Sequence, residues 1–218
     1  MKYDEIIKKL HELAEGNDEY RRFNARIVND PSVEFIGVRM PALRVVAKEI
    51  SRGDWREFLD KNTWKTQEEK LLACMLPKYI KPILGFEQFF DYFEIVIPHL
   101  SSWALTDCLG TKYPQIQEDQ VKSWRRIVRY LHSKNQWEVR FGVILLMANF
   151  SNDEYIDRVM MEIRKIKSDE YYVRMAIAWL LATAAINYRD KVERILSEID
   201  SQTAKFTRQK MRDSYQIR

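Results

Sequence analysis

The chain has 218 residues, a formal net charge of +4, and 46% apolar and 31% charged side chains. This length and balance predict one globular domain that is stable without disulfides, and they argue against a disordered chain. Cys74 and Cys108 lack a CxxC spacing, so we expect free thiols in a reducing, cytoplasmic compartment. No apolar run is long enough to cross a bilayer and the charged amino terminus does not look like a signal peptide, so we expect no membrane partner.

Apolar residues recur at helical spacing along nearly the whole chain, and turn residues divide the pattern into segments. The predicted helices are 3–14, 18–28, 41–50, 66–80, 86–98, 102–110, 118–132, 136–149, 152–166, 170–186, 190–199 and 202–214. Almost no segment alternates at period two, so the sequence predicts an all-α fold.

Three aromatic residues, Trp103, Trp137 and Tyr171, fall 34 residues apart, each near the start of a predicted helix. A repeat of this length predicts stacked helical pairs. The signature residues of tetratricopeptides are missing, which favours a HEAT-like αα-superhelix (solenoid) that spans residues 1–218 as a single domain. In such a solenoid the second helix of each pair lines a concave face, where we expect a basic groove that carries the function.

Trp103 and Asp107 lie four residues apart, so they share one face of a predicted helix. An aspartate inside an apolar helix is costly unless it has a partner or a role. The same holds for the cation Arg140 in the apolar segment 139–146. From the residues alone, Asp107 and Arg140 either pair with each other across adjacent helices or reach a ligand. Trp179, judged by its apolar surroundings, is expected in the core.

Several classes of catalytic and binding site are excluded because the sequence lacks their motifs. The sequence has no glycine-rich phosphate loop, GxSxG elbow, HExxH helix or zinc-deaminase motif. Its three histidines have no ligand-like spacing, so we expect neither a metal nor another cofactor.

Four segments carry a family resemblance. Residues 37–44 read GVRMPALR, Trp103 is followed by Asp107, Trp137 opens the run WEVR that ends at Arg140, and residues 171–179 read YYVRMAIAW. With these segments the chain resembles the AlkD-type DNA alkylation repair proteins, which are HEAT-like DNA glycosylases, over most of its length. The spacing of Trp103, Asp107, Arg140 and Trp179 agrees with that family's active constellation to within a couple of residues.

The resemblance implies a groove that holds duplex DNA and a reaction that cleaves the N-glycosidic bond of cationic N3- or N7-alkylated purines. Asp107 would be the catalytic carboxylate, and Trp103 and Trp179 would be aromatic walls against the deoxyribose of the lesion. A carboxylate and two ring faces stabilise positive charge on the sugar, and a cationic base needs no general acid to leave. The family is thought to work without a base pocket, and no pocket is evident in this sequence.

The resemblance also implies that Arg140 contacts a DNA phosphate, and we expect Arg44 and Arg174 to bind DNA as well. The expected partner is double-stranded DNA with alkylated purines, bound by a monomer. The alternative hypothesis is a non-catalytic helical-repeat scaffold that binds nucleic acid or protein through the same groove. Steep salt dependence of binding would indicate a nucleic-acid ligand.

Overall fold

The computed structural model describes residues 1–214. Within them lie thirteen α-helices and two short 3₁₀ turns, and the one extended pairing is a single bridge between Glu34 and Thr66. The all-α class predicted from the sequence is therefore confirmed. None of the described helices combines the length and the apolar character needed to cross a membrane.

The backbone forms two compact units, Met1–Leu109 and Gly110–Arg218. The helices of the first unit are α1 (Tyr3–Ala14), α2 (Asp18–Val28), α3 (Met40–Arg52), α4 (Trp55–Lys61), α5 (Gln67–Met75), α6 (Phe86–Val96) and α7 (Trp103–Leu109). The described helices of the second unit are α8 (Pro114–Glu118), α9 (Gln120–Leu131), α10 (Gln136–Phe150), α11 (Ile156–Lys165), α12 (Tyr171–Ile195) and α13 (Ser201–Asp213). The superhelix and its basic groove stay predictions.

Helix α5 lies at the centre of the first unit, where it packs against α3 and α7. Each of its nine residues is buried, including the four polar residues of its first turn. Thr66 caps the helix through a reciprocal pair of hydrogen bonds with Glu69, which satisfies amide groups that have no partner inside the helix. A helix that is buried on every side needs such partners for all of its polar groups.

Two prolines shorten helices that the apolar pattern extends further. The predicted helix 66–80 ends at Met75 and continues as a 3₁₀ turn, Leu76–Lys78, around Pro77. In the same way the predicted helix 86–98 ends at Val96 before a 3₁₀ turn at Ile97–His99. Proline has no amide hydrogen for the α-helical ladder, so the chain tightens at these points.

In the second unit α10 packs against α9 and α12, and α12 packs against α11 and α13. Helix α12 runs from Tyr171 to Ile195 with non-helical backbone at Tyr188, where the sequence predicts two helices, 170–186 and 190–199. The non-helical backbone at Tyr188 separates two helical parts of this segment, so the predicted break between the two helices is confirmed. The short helices α4 and α8 were not predicted, because five to seven residues are too few for a clear helical period.

Candidate active site

Trp103 and Asp107 lie one turn apart on α7, as the sequence predicts, and both side chains are half-buried. The indole Nε1 of Trp103 donates a hydrogen bond to the carbonyl of Ile27, at 3.4 Å. The hydroxyl of Thr106 donates to the carbonyl of Trp103 at 3.0 Å and to Oδ1 of Asp107 at 3.2 Å. These bonds hold the ring and the carboxylate in place.

A cavity of about 370 Å³ lies in the first unit beside these two residues. Helix α7 supplies Trp103, Asp107 and Cys108 to its wall, and α2 supplies Tyr20 and Asn24. The remaining polar or aromatic residues of the wall are Arg44, Gln67, Lys78 and Tyr79. A cavity of this size falls within the range of roughly 300–1,000 Å³ found for small-ligand sites. The structure thus shows a pocket where none was evident in the sequence.

The cavity combines one carboxylate with two exposed cations. Arg44 and Lys78 are exposed residues of its wall, and within residues 1–214 neither forms an ion pair. Their charges are therefore available to an anionic ligand such as a phosphate. Asp107 adds a negative charge to the same wall, which suits a ligand with both an anionic and a cationic part.

Cys108 also lines the cavity, but its chemistry is that of an inert thiol. Burial raises the pKa of Cys108 to about 11, although the charges of Lys78 and Arg44 act in the opposite direction. Only the thiolate is a strong nucleophile, so a raised pKa lowers the reactivity of Cys108 near neutral pH. Asp107 is the carboxylate of this wall, and its catalytic role stays a prediction.

The segment that reads GVRMPALR is held by a single buried carboxylate. Glu68 accepts hydrogen bonds from the amides of Ile36 at 3.0 Å, Gly37 at 2.8 Å and Val38 at 3.2 Å. Gly37 adopts a φ of +106°, which favours glycine. The segment then enters α3, and this helix brings Arg44 to the cavity.

Trp179 belongs to the second unit, on α12. It is 39% exposed, so the expectation from its apolar neighbours that it lies in the core is wrong. With Ile186 and Lys210 it lines a hollow of about 400 Å³. An exposed indole ring beside a cation can contact DNA, and the catalytic role that the resemblance implies for it stays a prediction.

Arg140 and Arg174, the other predicted DNA-binding residues of the second unit, have partners within that unit. Arg140 is only 5% exposed, and its guanidinium donates to the carbonyl of Tyr172 at 2.8 Å. Arg174 forms ion pairs with Asp169 and Asp200. A DNA phosphate would have to compete with these partners for either guanidinium. Both arginines therefore stabilise the fold, and DNA binding by them stays a prediction.

The sequence interpretation missed the polar first turn of α5. Glu68 holds the loop at Gly37, Lys70 donates to Oγ of Ser101 at 2.9 Å, and Gln67 lines the cavity. Burial lowers the pKa of Lys70. Four consecutive polar residues at a helix start usually face solvent, so the local pattern contained no sign of their burial.

Comparison with known proteins finds one family. The sequence model of the family described as DNA alkylation repair enzyme matches residues 6–215, which is nearly the whole chain. No curated protein shows a significant match. Among the described residues no group of three or more His, Cys, Asp or Glu side chains is arranged to hold a metal ion.

Proposed function

Because the chain belongs to the DNA alkylation repair enzyme family, we propose that it is a DNA glycosylase that removes cationic N3- or N7-alkylated purines from duplex DNA. The observation that carries the proposal is the cavity wall that joins Asp107 and Trp103 with the exposed cations Arg44 and Lys78. These are the groups that a reaction with a positively charged sugar and a flanking phosphate requires.

In the proposed reaction the bond between C1′ of the deoxyribose and the purine nitrogen breaks. The alkylated purine leaves as a neutral base with the bonding electron pair, and positive charge develops on the sugar. The carboxylate of Asp107 stabilises that charge and orients a water molecule, whose oxygen then bonds to C1′. The proton of the water is lost to solvent, and the products are the free base and an abasic site.

The aromatic rings support the same step. The ring face of Trp103 carries partial negative charge, which attracts both a cationic purine and a cationic sugar. Its indole N–H is already bonded to the Ile27 carbonyl, so the ring keeps its orientation as charge develops. We propose that the exposed ring of Trp179 makes a second contact with the lesion-bearing strand.

DNA binding rests on the cations of the first unit in this proposal. Arg44 and Lys78 neutralise phosphates beside the lesion, and each neutralised phosphate releases counterions. Binding should therefore weaken as salt concentration rises, and this dependence also separates a DNA-binding surface from a protein-binding one.

The test is release of free 7-methylguanine and 3-methyladenine from methylated duplex DNA under single-turnover conditions. We expect release by the wild-type protein above the spontaneous rate, and a loss of roughly 10²–10³-fold in Asp107→Asn. The control is Asp60→Asn on α4, which removes an exposed carboxylate and should leave release unchanged. Thermal melts establish that the variants remain folded.

Two results would contradict the proposal. Equal release by wild type and a folded Asp107→Asn would remove Asp107 from the reaction. No release by a wild-type protein that still binds DNA would leave a non-catalytic scaffold that uses this surface for recognition.

A further inference from the structure

Helix α2 exposes two large apolar side chains near the candidate active site. Phe23 is 48% exposed and Ile27 is 45% exposed. They lie four residues apart, so they share one face of the helix. Single exposed apolar residues are common on protein surfaces, whereas adjacent ones form a patch of the kind found at interaction sites. We call Phe23 and Ile27 the α2 patch.

The α2 patch lies beside the cavity wall that contains Asp107. Helix α2 contributes three residues to that wall, Tyr20, Asn24 and Val28. Seven residues are close to two full turns of an α-helix, so Ile27 points in nearly the same direction as Tyr20. The carbonyl of Ile27 also accepts the hydrogen bond of the Trp103 indole at 3.4 Å. A ligand that lies across the cavity therefore meets the α2 patch as well.

Three arginines surround the α2 patch. The guanidinium of Arg26 lies 5.8 Å from the centre of the Phe23 ring, and Arg22 is the exposed residue just before Phe23. Arg39 and Phe23 line a shared hollow of about 380 Å³. The guanidinium of Arg39 also lies 4.6 Å from the ring centre of Tyr20. All three arginines are exposed, and within residues 1–214 none of them forms an ion pair.

An apolar patch among unpaired arginines is complementary to a strand of DNA. The deoxyribose rings of a strand present an apolar edge, and the phosphates between them carry negative charge. Arginine is well suited to bind phosphates, and phenylalanine and isoleucine are among the apolar side chains that proteins place against DNA. The carboxylate of Glu19 borders the same hollow, but the three arginines exceed it in charge. The charge of this surface therefore favours DNA over an apolar protein partner.

We propose that the α2 patch is a further DNA contact of this chain. Phe23 and Ile27 pack against deoxyribose rings of the lesion-bearing strand, and Arg22 and Arg26 bind its phosphates. The inference rests on the proposed glycosylase function and extends it from the carboxylate of Asp107 to the strand that must be held beside it.

The first experiment measures the affinity of the full chain for an unmodified DNA duplex by fluorescence anisotropy over a range of salt concentrations. Phe23→Ala should weaken binding about fivefold, because about half of the ring is free to be buried against DNA. The slope of log K against log salt concentration should stay unchanged, since no charge is lost. Arg26→Ala should lower that slope by about one, as loss of one phosphate contact predicts.

Matched variants control for the loss of an exposed side chain. Ile27→Ala is compared with Ile95→Ala, which truncates a 49% exposed isoleucine of α6 that borders neither the cavity nor the hollow. Arg26→Ala is compared with Arg56→Ala, which removes an exposed arginine of α4 whose guanidinium lies 4.1 Å from a tryptophan ring centre. Both control variants should bind DNA as the wild type does. Thermal melts establish that all variants remain folded.

The second experiment measures release of methylated purines in single turnovers at increasing protein concentration. Phe23→Ala should raise the protein concentration that gives half of the maximal rate and leave the maximal rate nearly unchanged, because it removes binding and no chemistry. Asp107→Asn should instead lower the maximal rate. The two readouts therefore separate a DNA contact from the reacting group.

The outcomes distinguish this proposal from the glycosylase. If Phe23→Ala, Ile27→Ala and Ile95→Ala all bind DNA as tightly as the wild type, the α2 contact is overturned, and base release by the wild type still supports the glycosylase. If the wild type releases no base but Phe23→Ala and Arg26→Ala weaken binding as stated, the glycosylase proposal fails and the α2 contact stands. A wild type that binds no duplex DNA would overturn both and leave the α2 patch to a protein partner.

Discussion

The carboxylate of Glu68 accepts a hydrogen bond from the amide of Gly37 at 2.8 Å, and both residues are buried. This bond joins the central helix α5 to the GVRMPALR segment. Because α3 follows the segment directly, the bond also fixes where α3 begins and hence where Arg44 meets the cavity. The conformation of this short motif is therefore held by a glutamate about thirty residues away in the chain.

We expect Gly37→Ala to lower the free energy of unfolding by about 1–3 kcal/mol. A Cβ at this position would lie 2.9 Å from Cβ of Arg21, and its φ of +106° is strained for alanine. Urea denaturation measures the change. Gly85→Ala is the control, since a Cβ there meets nothing within 4 Å. Equal effects of the two substitutions would contradict this account of the loop.

Replacing Glu68 with glutamine should also destabilise the first unit. A neutral amide keeps one oxygen for the three amide donors at 36–38 and directs its own donors at them. We expect a loss of about 1.5–3 kcal/mol in unfolding free energy, the range for hydrogen bonds to a charged group. Glu57→Gln, which removes one partner of the surface ion pair with Lys61, should change stability little. A Glu68→Gln protein as stable as the wild type would show that other contacts hold the loop.

Arg44 and Arg140 should respond differently to truncation. Arg44 is exposed at the cavity, so Arg44→Ala should lower the slope of log K against log salt concentration for DNA binding by about one, with little change in melting temperature. Arg140 is buried and donates to the Tyr172 carbonyl, so Arg140→Ala should lower the free energy of unfolding by about 1–3 kcal/mol. Fluorescence anisotropy over a range of salt concentrations and thermal melts make the two measurements. An unchanged salt slope in Arg44→Ala would remove it from the DNA interface.

The reaction of Cys108 with iodoacetamide should be slow at neutral pH and rise steeply with pH. Because burial raises its pKa to about 11, the thiolate fraction and therefore the rate should increase about tenfold per pH unit and level off only near that pH. An ordinary cysteine levels off near its pKa of about 8.5. Mass spectrometry of peptides distinguishes Cys108 from Cys74, whose complete burial also raises its pKa. A plateau below pH 9 would contradict the burial of Cys108.

The fold class and most helices could be predicted because helix formation depends on neighbours within four residues. The spacing of apolar side chains fixed the helical faces, and Trp103 and Asp107 therefore share a face of α7 as expected. The effect of proline on a helix is also local. Pro77 and Pro98 have no amide hydrogen to donate, and this explains where α5 and α6 end.

The spacing of apolar residues predicted the wrong exposure for side chains whose burial depends on elements far away in the chain. Trp179 lies in an apolar run yet is exposed, whereas the polar residues that begin α5 are buried. Which side of a helix faces solvent is decided by the elements that pack against it, and these come from elsewhere in the chain.

The sequence by itself determined an all-α chain of an alkylation repair family, with a carboxylate and an indole ring on one helical face. Only the tertiary structure decided that this face borders a cavity. The hydrogen bonds responsible join residues far apart in the chain, such as Trp103 and Ile27 at a separation of 76 residues. Such contacts form through packing, which short-range periodicity does not encode.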